Sequence, residues 1–74
     1  MNLNKAAEIE KFRQALSERT KRPVVYDAQI DAYRSGPDGS VLKITRDAQG
    51  TAGRIEIDGE TFPFEYDPQT GRYT

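Results

Sequence analysis

The sequence predicts an α+β fold, one N-terminal helix packed on a four-stranded antiparallel β-meander in the order 1-2-3-4. Three observations lead there. Apolar residues recur at helical spacing only near the N-terminus. From Val24 onward they alternate, in short runs divided by Gly, Pro and Asp clusters. Between two of those runs stands Asp58-Gly59, a pair that two-residue hairpin turns favour.

Size and composition set the terms of stability. The 74 residues make one domain spanning 1–74, and chains this short bury only roughly 60–65% of their unfolded surface. With no cysteine, neither disulfides nor a thiolate zinc site can supplement the core. Lys5, Glu8, Glu10, Lys11 and Arg13 interrupt the N-terminal region where a secretory leader would need an apolar run, and no segment approaches membrane-spanning length. The expectation is a cytoplasmic protein that does not engage a membrane. Charge is unevenly spread: residues 1–22 hold six basic and three acidic groups, residues 23–74 five basic and nine acidic. Such asymmetry serves either a partner or the mutual attraction of helix and sheet.

The helix is expected over about residues 5–19, capped by Asn4. Leu3, Ala6, Ile9, Phe12 and Leu16 share one face at three- and four-residue spacing. Glu8 with Lys11 and Glu18 with Arg22 have the spacing of surface ion pairs. Pro23 stops the helix, because the residue before a proline is pushed out of the α region.

Strands are expected over about 24–33, 41–46, 53–57 and 60–66. In the first, Tyr26, Ala28, Ile30 and Ala32 point inward and Val25, Asp27, Asp31 and Tyr33 outward. Residues 34–40 and 47–52 are turn-rich connections. Beyond Tyr66, Asp67-Pro68-Gln69-Thr70-Gly71 forms a turn, and Tyr73 either adds a short fifth strand or frays. No internal repeat is read.

The Asp58-Gly59 turn sets the register. It places Ile57 opposite Glu60, Glu56 opposite Thr61, Ile55 opposite Phe62 and Arg54 opposite Pro63. Pro63 then lies in a non-hydrogen-bonded pair, so the N–H it lacks would have pointed away from strand three. Strand four is therefore an edge, or unpaired at that residue. The same parity sets Ile44 opposite both Ile55 and Ile30, and Lys43 between Asp31 and Glu56. The helix is expected to cover Ile30, Leu42, Ile44, Ile55, Ile57, Phe62 and Phe64.

The residue inventory is poor in reactive chemistry. Histidine and cysteine are absent, which removes the usual triads, thiolate catalysis and most transition-metal sites. Asp27 and Asp31 on one strand face would lie roughly 13 Å apart, beyond the about 5–9.5 Å that paired-carboxylate catalysis uses. Gly36-Pro37-Asp38-Gly39 lacks the lysine and following helix of a phosphate-binding loop. The reading assigns no catalytic, cofactor-binding or metal-ligating residues, and no cofactor.

The segment Y-D-P-Q-T-G-R-Y, residues 66–73, resembles one unit of the tyrosine–aspartate repeats found in large secreted shells. It covers eight residues and is read once. A single unit cannot build a repeat architecture, so the resemblance implies nothing further about fold or activity.

By elimination, the sequence points to a non-enzymatic protein-binding module acting stoichiometrically. A phage-encoded anti-defence inhibitor of the anti-CRISPR type is one such accessory or inhibitory protein. The expected contact surfaces are the outer sheet face (Tyr33, Val41, Lys43, Arg54, Glu56) and the free edge of the first strand (Val24, Val25, Tyr26), through which the chain could also form a homodimer rather than remain a monomer. The alternative is a small nucleic-acid-associated regulator using Lys11, Arg19, Lys21 and Arg22.

Overall fold

The computed structural model describes residues 3–74, with side chains from residue 5 onward. The chain runs α1 (Leu3–Thr20), β1 (Val25–Asp27), β2 (Ala32–Arg34), β3 (Lys43–Arg46), β4 (Ala52–Ile57), β5 (Glu60–Asp67) and β6 (Arg72–Tyr73). The strands form a four-stranded antiparallel sheet, β3-β4-β5-β6, and a separate two-stranded one, β1-β2. The α+β class and the four-stranded antiparallel sheet are as expected, but the sheet's membership differs. Its fourth strand is β6, the segment containing Tyr73.

The helix ends where Lys21 enters the left-handed region (φ 59°), a residue past the last helical turn that reverses the chain. Thr20 is buried and its Oγ1 donates to the Leu16 carbonyl at 2.8 Å. Ser17 Oγ donates to the Arg22 carbonyl at 2.7 Å, which fixes the exit. The helix begins at Leu3, so Asn4 lies inside it and is not the expected cap, and the Leu3 apolar contact lies outside the described side chains. Ala6 is exposed and Ile9 half-buried, so the helix meets the core through Phe12 and Leu16. The expected pairs Glu8–Lys11 and Glu18–Arg22 do not form among the described residues. Glu10 binds Arg13 instead, at 2.6 Å.

The central hairpin has the expected register at all four pairs from Ile57↔Glu60 to Arg54↔Pro63. Asp58 (φ 49°) and Gly59 (φ 82°) both adopt positive φ, the signature of a type I′ turn. Ile44↔Ile55 and Lys43↔Glu56 pair across β3 and β4. On its other side β5 pairs with β6 at Tyr66 and Asp67, and Glu65 exchanges backbone hydrogen bonds with Thr74, so that ladder stops short of Pro63. Pro63 therefore sits where no third strand needs its missing N–H.

The first expected strand is wrong. Residues 24–33 are two short strands joined by the loop 28–31, with Asp31 in the left-handed region (φ 52°). Alternation in Tyr26-Ala28-Ile30-Ala32 imitates a strand, but the chain folds back after Asp27. The Gln29 N–H donates to Asp27 Oδ1 at 3.0 Å, and the Tyr26 hydroxyl donates to the Asp31 carboxylate. This reversal has three consequences. Ile30 sits on the loop tip, 48% exposed, and not in the core. Asp31 does not flank Lys43. Tyr33 pairs with Tyr26 and turns its ring inward onto Phe12, 5.4 Å between centroids, rather than outward.

The loop is also one of a set. Tyr26–Tyr33 (Y-D-A-Q-I-D-A-Y) and Tyr66–Tyr73 (Y-D-P-Q-T-G-R-Y) carry Tyr, Asp, Gln and Tyr at matching positions. Both are hairpins with four-residue loops, closed by Asp27↔Ala32 and Asp67↔Arg72. In each, the Asp accepts the Gln N–H, and the last loop residue, Asp31 or Gly71, has positive φ. Asp47-Ala48-Gln49 stands midway between them and opens the β3–β4 loop. The expectation of no internal repeat is thereby corrected.

The core comprises Phe12, Leu16, Val24, Leu42, Ile55, Ile57 and Phe64, with Tyr33, Ile44, Phe62 and Tyr73 packed against it. Although β1-β2 is a separate sheet, it stays joined to β3. The Leu42 N–H donates to the Tyr33 carbonyl at 2.8 Å, and Arg34 bridges Val41.

Candidate functional site

Meander connectivity places the loops 28–31, 48–51 and 68–71 at one end of the strands and the turns 36–39 and 58–59 at the other. The residues beside the first set are Tyr33, Arg46, Tyr66 and Tyr73. Helix α1 passes over them, and between helix and strands lies an open groove of about 450 Å³.

Aromatic rings build its walls. Phe12 contributes from the helix, 5.2 Å from Tyr73 between centroids, and Tyr73 stands 4.7 Å from Tyr66. Burial pushes the hydroxyls of Tyr33 and Tyr73 above the usual phenol range, so both remain protonated donors at neutral pH. Arg46 lies over this floor with its guanidinium carbon 4.6 Å from the Phe12 ring centre and 6.0 Å from that of Phe64. A cation on an aromatic face is held electrostatically while its edge stays available for hydrogen bonds. Arg13, Arg22 and Arg34 each hold a carboxylate, whereas no carboxylate lies within ion-pair distance of Arg46 among the described residues.

The rim is acidic. The Arg34 guanidinium, 2.9 Å from Asp27, holds that carboxyl below its ordinary range, as does the Gln29 N–H. Burial pushes Asp47 upward, but the N–H groups of Thr51, Ala52 and Gly50 outweigh it and leave the carboxyl lowered. Both stay ionised at neutral pH.

No family model matches this chain, and neither does any curated protein or solved structure. Its site is therefore characterised by its own geometry.

The surfaces expected from sequence are partly assembled. Val41 (44% exposed), Lys43 and Glu56 line a shallow depression on the outer face beside the 58–59 turn. Arg54 is exposed farther along β4, opposite Thr45 and Pro63. Tyr33 belongs to the groove instead. Val25 and Tyr26 lie on the outer strand of the small sheet, but Arg13 Nη1 donates to the Val24 carbonyl at 2.9 Å and covers part of that edge. The basic cluster is divided. Arg19 Nε donates to the Pro63 carbonyl at 2.5 Å and Arg22 binds Asp58 and Glu60, while Lys21 is exposed and Lys11 lies across the helix beside Gly71. Sequence reasoning missed Arg46, Tyr66 and Tyr73. The signal that could have found the two tyrosines is the doubled Y-D-x-Q-x-x-x-Y phrase, which delivers tyrosines to the same end of the sheet, whereas nothing in the sequence marks Arg46.

Among the described residues, no group of three or more acidic side chains could hold a metal ion, and no helix is long and apolar enough to cross a membrane.

Proposed function

We propose that this chain is a small non-enzymatic module that binds another protein stoichiometrically, with the groove between α1 and the loop end of the sheet as its contact surface. The observation that carries the reading is Arg46 set on Phe12 without a carboxylate partner, among three half-buried tyrosines. Tyrosine and arginine dominate the energetics of protein interfaces, because each offers large rigid contact area with a polar tip. A module of this kind acts by occupying a partner's surface, which is the chemistry of an accessory or inhibitory protein.

The engagement of Arg19 and Arg22 within the fold weighs against the nucleic-acid reading, since two of its four cations are already hydrogen-bonded to the sheet. The test is capture of a partner from source-cell extract on immobilised wild-type chain, Tyr66→Ala and Val41→Asp. A partner held at one-to-one stoichiometry by wild type and Val41→Asp, and lost by Tyr66→Ala, supports the groove. Loss with Val41→Asp alone moves the contact to the outer sheet face. Micromolar binding of mixed DNA or RNA that falls steeply with salt would replace the reading with a nucleic-acid one.

A further inference from the structure

We infer that the groove selects a short acidic segment of its protein partner, one carboxylate on Arg46 with the neighbouring side chain packed against Phe12 and Tyr73. This rests on the protein-binding reading above and specifies its ligand. The first support is the guanidinium itself. It lies over Phe12 with its side chain hydrogen-bonded to the Tyr73 hydroxyl, and the residue is exposed, so the remaining N–H groups of the guanidinium can donate to a carboxylate.

The second support is charge. Among the described residues, Lys11 and Arg46 line the groove against the carboxylate of Glu8, so it is locally positive on a chain whose net charge is −1. Lys11 has a defined station there: its Nζ occupies the space over Gly71, 2.6 Å from where a Cβ would stand. The third support is the rim. Asp31, Asp47 and Asp67 stand at the same end of the sheet, with Arg72 opposite Asp67, while Asp27 is bound by Arg34. Such a rim disfavours a continuous polyanion beyond its first contact, yet leaves the cationic floor open to one or two carboxylates. At about 450 Å³ the groove takes two or three side chains, not a folded surface.

The test uses the full chain with three fluorescent probes in anisotropy titrations. One is a peptide of about twelve residues, Gly and Ser around a single Glu-Phe pair, one replaces that Glu by Lys, and one is a thymidine oligonucleotide of about the same length. The acidic peptide is expected to bind, to weaken as salt rises, and to lose at least about tenfold in affinity with Arg46→Gln. Arg46→Lys should recover part of that loss, and Lys11→Glu, on the helix surface, should repeat it without touching the core. Equal binding of the lysine peptide overturns the inference, as does oligonucleotide binding that exceeds that of the acidic peptide. Unchanged affinity in both Arg46→Gln and Lys11→Glu overturns it as well. Partner capture that depends on Tyr66 but is insensitive to Lys11→Glu leaves the protein-binding reading standing and removes only the acidic selectivity.

Discussion

Arg22 holds Asp58 across 36 positions of sequence: Nη1 stands 3.1 Å from Asp58 Oδ2, and Nη2 reaches Glu60 Oε1 at 2.5 Å. An arginine just past the helix end thus straddles the type I′ turn of the central hairpin. Part of the positive balance of residues 1–22 and the negative balance of the remainder is consumed inside the fold. Arg22 is half-buried and Asp58 exposed, and solvent screening limits the pair to about 0.2–1 kcal/mol. A double-mutant cycle of Arg22→Ala and Asp58→Asn in urea denaturation should return a coupling of that size at low salt and lose it near about 1 M. Absence of coupling at low salt would make the contact incidental.

Gly53 and Phe64 face each other across β4 and β5. A Cβ on residue 53 would stand 2.3 Å from the Thr45 carbonyl oxygen and 2.6 Å from Phe64 Cζ. Gly53→Ala must therefore displace a strand or a core ring, and about 1–3 kcal/mol of stability should be lost. Gly59→Ala is the contrasting case. Its Cβ would meet nothing within 4 Å, so the positive φ of 82° alone carries the cost, about 1–2 kcal/mol. Backbone shifts in the amide spectrum should spread into β3 for the first substitution and stay at the turn for the second.

Phe64 is 5% exposed and touches Phe12 and Tyr73, whereas Phe62 is only partly buried. Phe64→Ala should cost about 3–5 kcal/mol and Phe62→Ala distinctly less. Thermal melts of the two variants decide it. The reverse order would mean that the helix sits over the turn end of the hairpin instead of over Phe64.

Tyr26 donates to Asp31, and that bond together with burial pushes its phenol up to about 12. A folded value above the ordinary 10 means the tyrosine's contribution to stability is complete below pH 10 and fades as pH rises through about 12. Phenolate absorbance should show one of the four tyrosines titrating near the end of the range, and Tyr26→Phe should remove that component. If the last component persists in the variant, another tyrosine holds the strongest bond.

The central hairpin, its register and the helix were legible because each rests on local chemistry. Asp58-Gly59 demands one turn type, and period-two alternation then assigns Ile55, Ile57, Phe62 and Phe64 to a single face. The split at residues 28–31 was not legible, for a local reason as well. Ala28-Gln29-Ile30-Asp31 contains neither Gly nor Pro, and Asp31 adopts positive φ with its carboxylate taking the Tyr26 hydroxyl, a conformation alternation cannot reveal. One misplaced loop moved Tyr33 to the wrong face.

The groove lay farther from reach. Phe12 comes from the helix, Arg46 from β3, and Tyr66 and Tyr73 from the last hairpin, so no spacing in the chain joins them. Helical and strand periodicity establish that Phe12 and Phe64 point into the same core. That Arg46 rests on Phe12, and that Arg22 turns to Asp58 rather than to Glu18, depends on where the helix settles across the sheet. That placement follows from packing Phe12 and Leu16 against Ile55 and Phe64, a non-local balance of volumes that charge spacing along the chain does not encode.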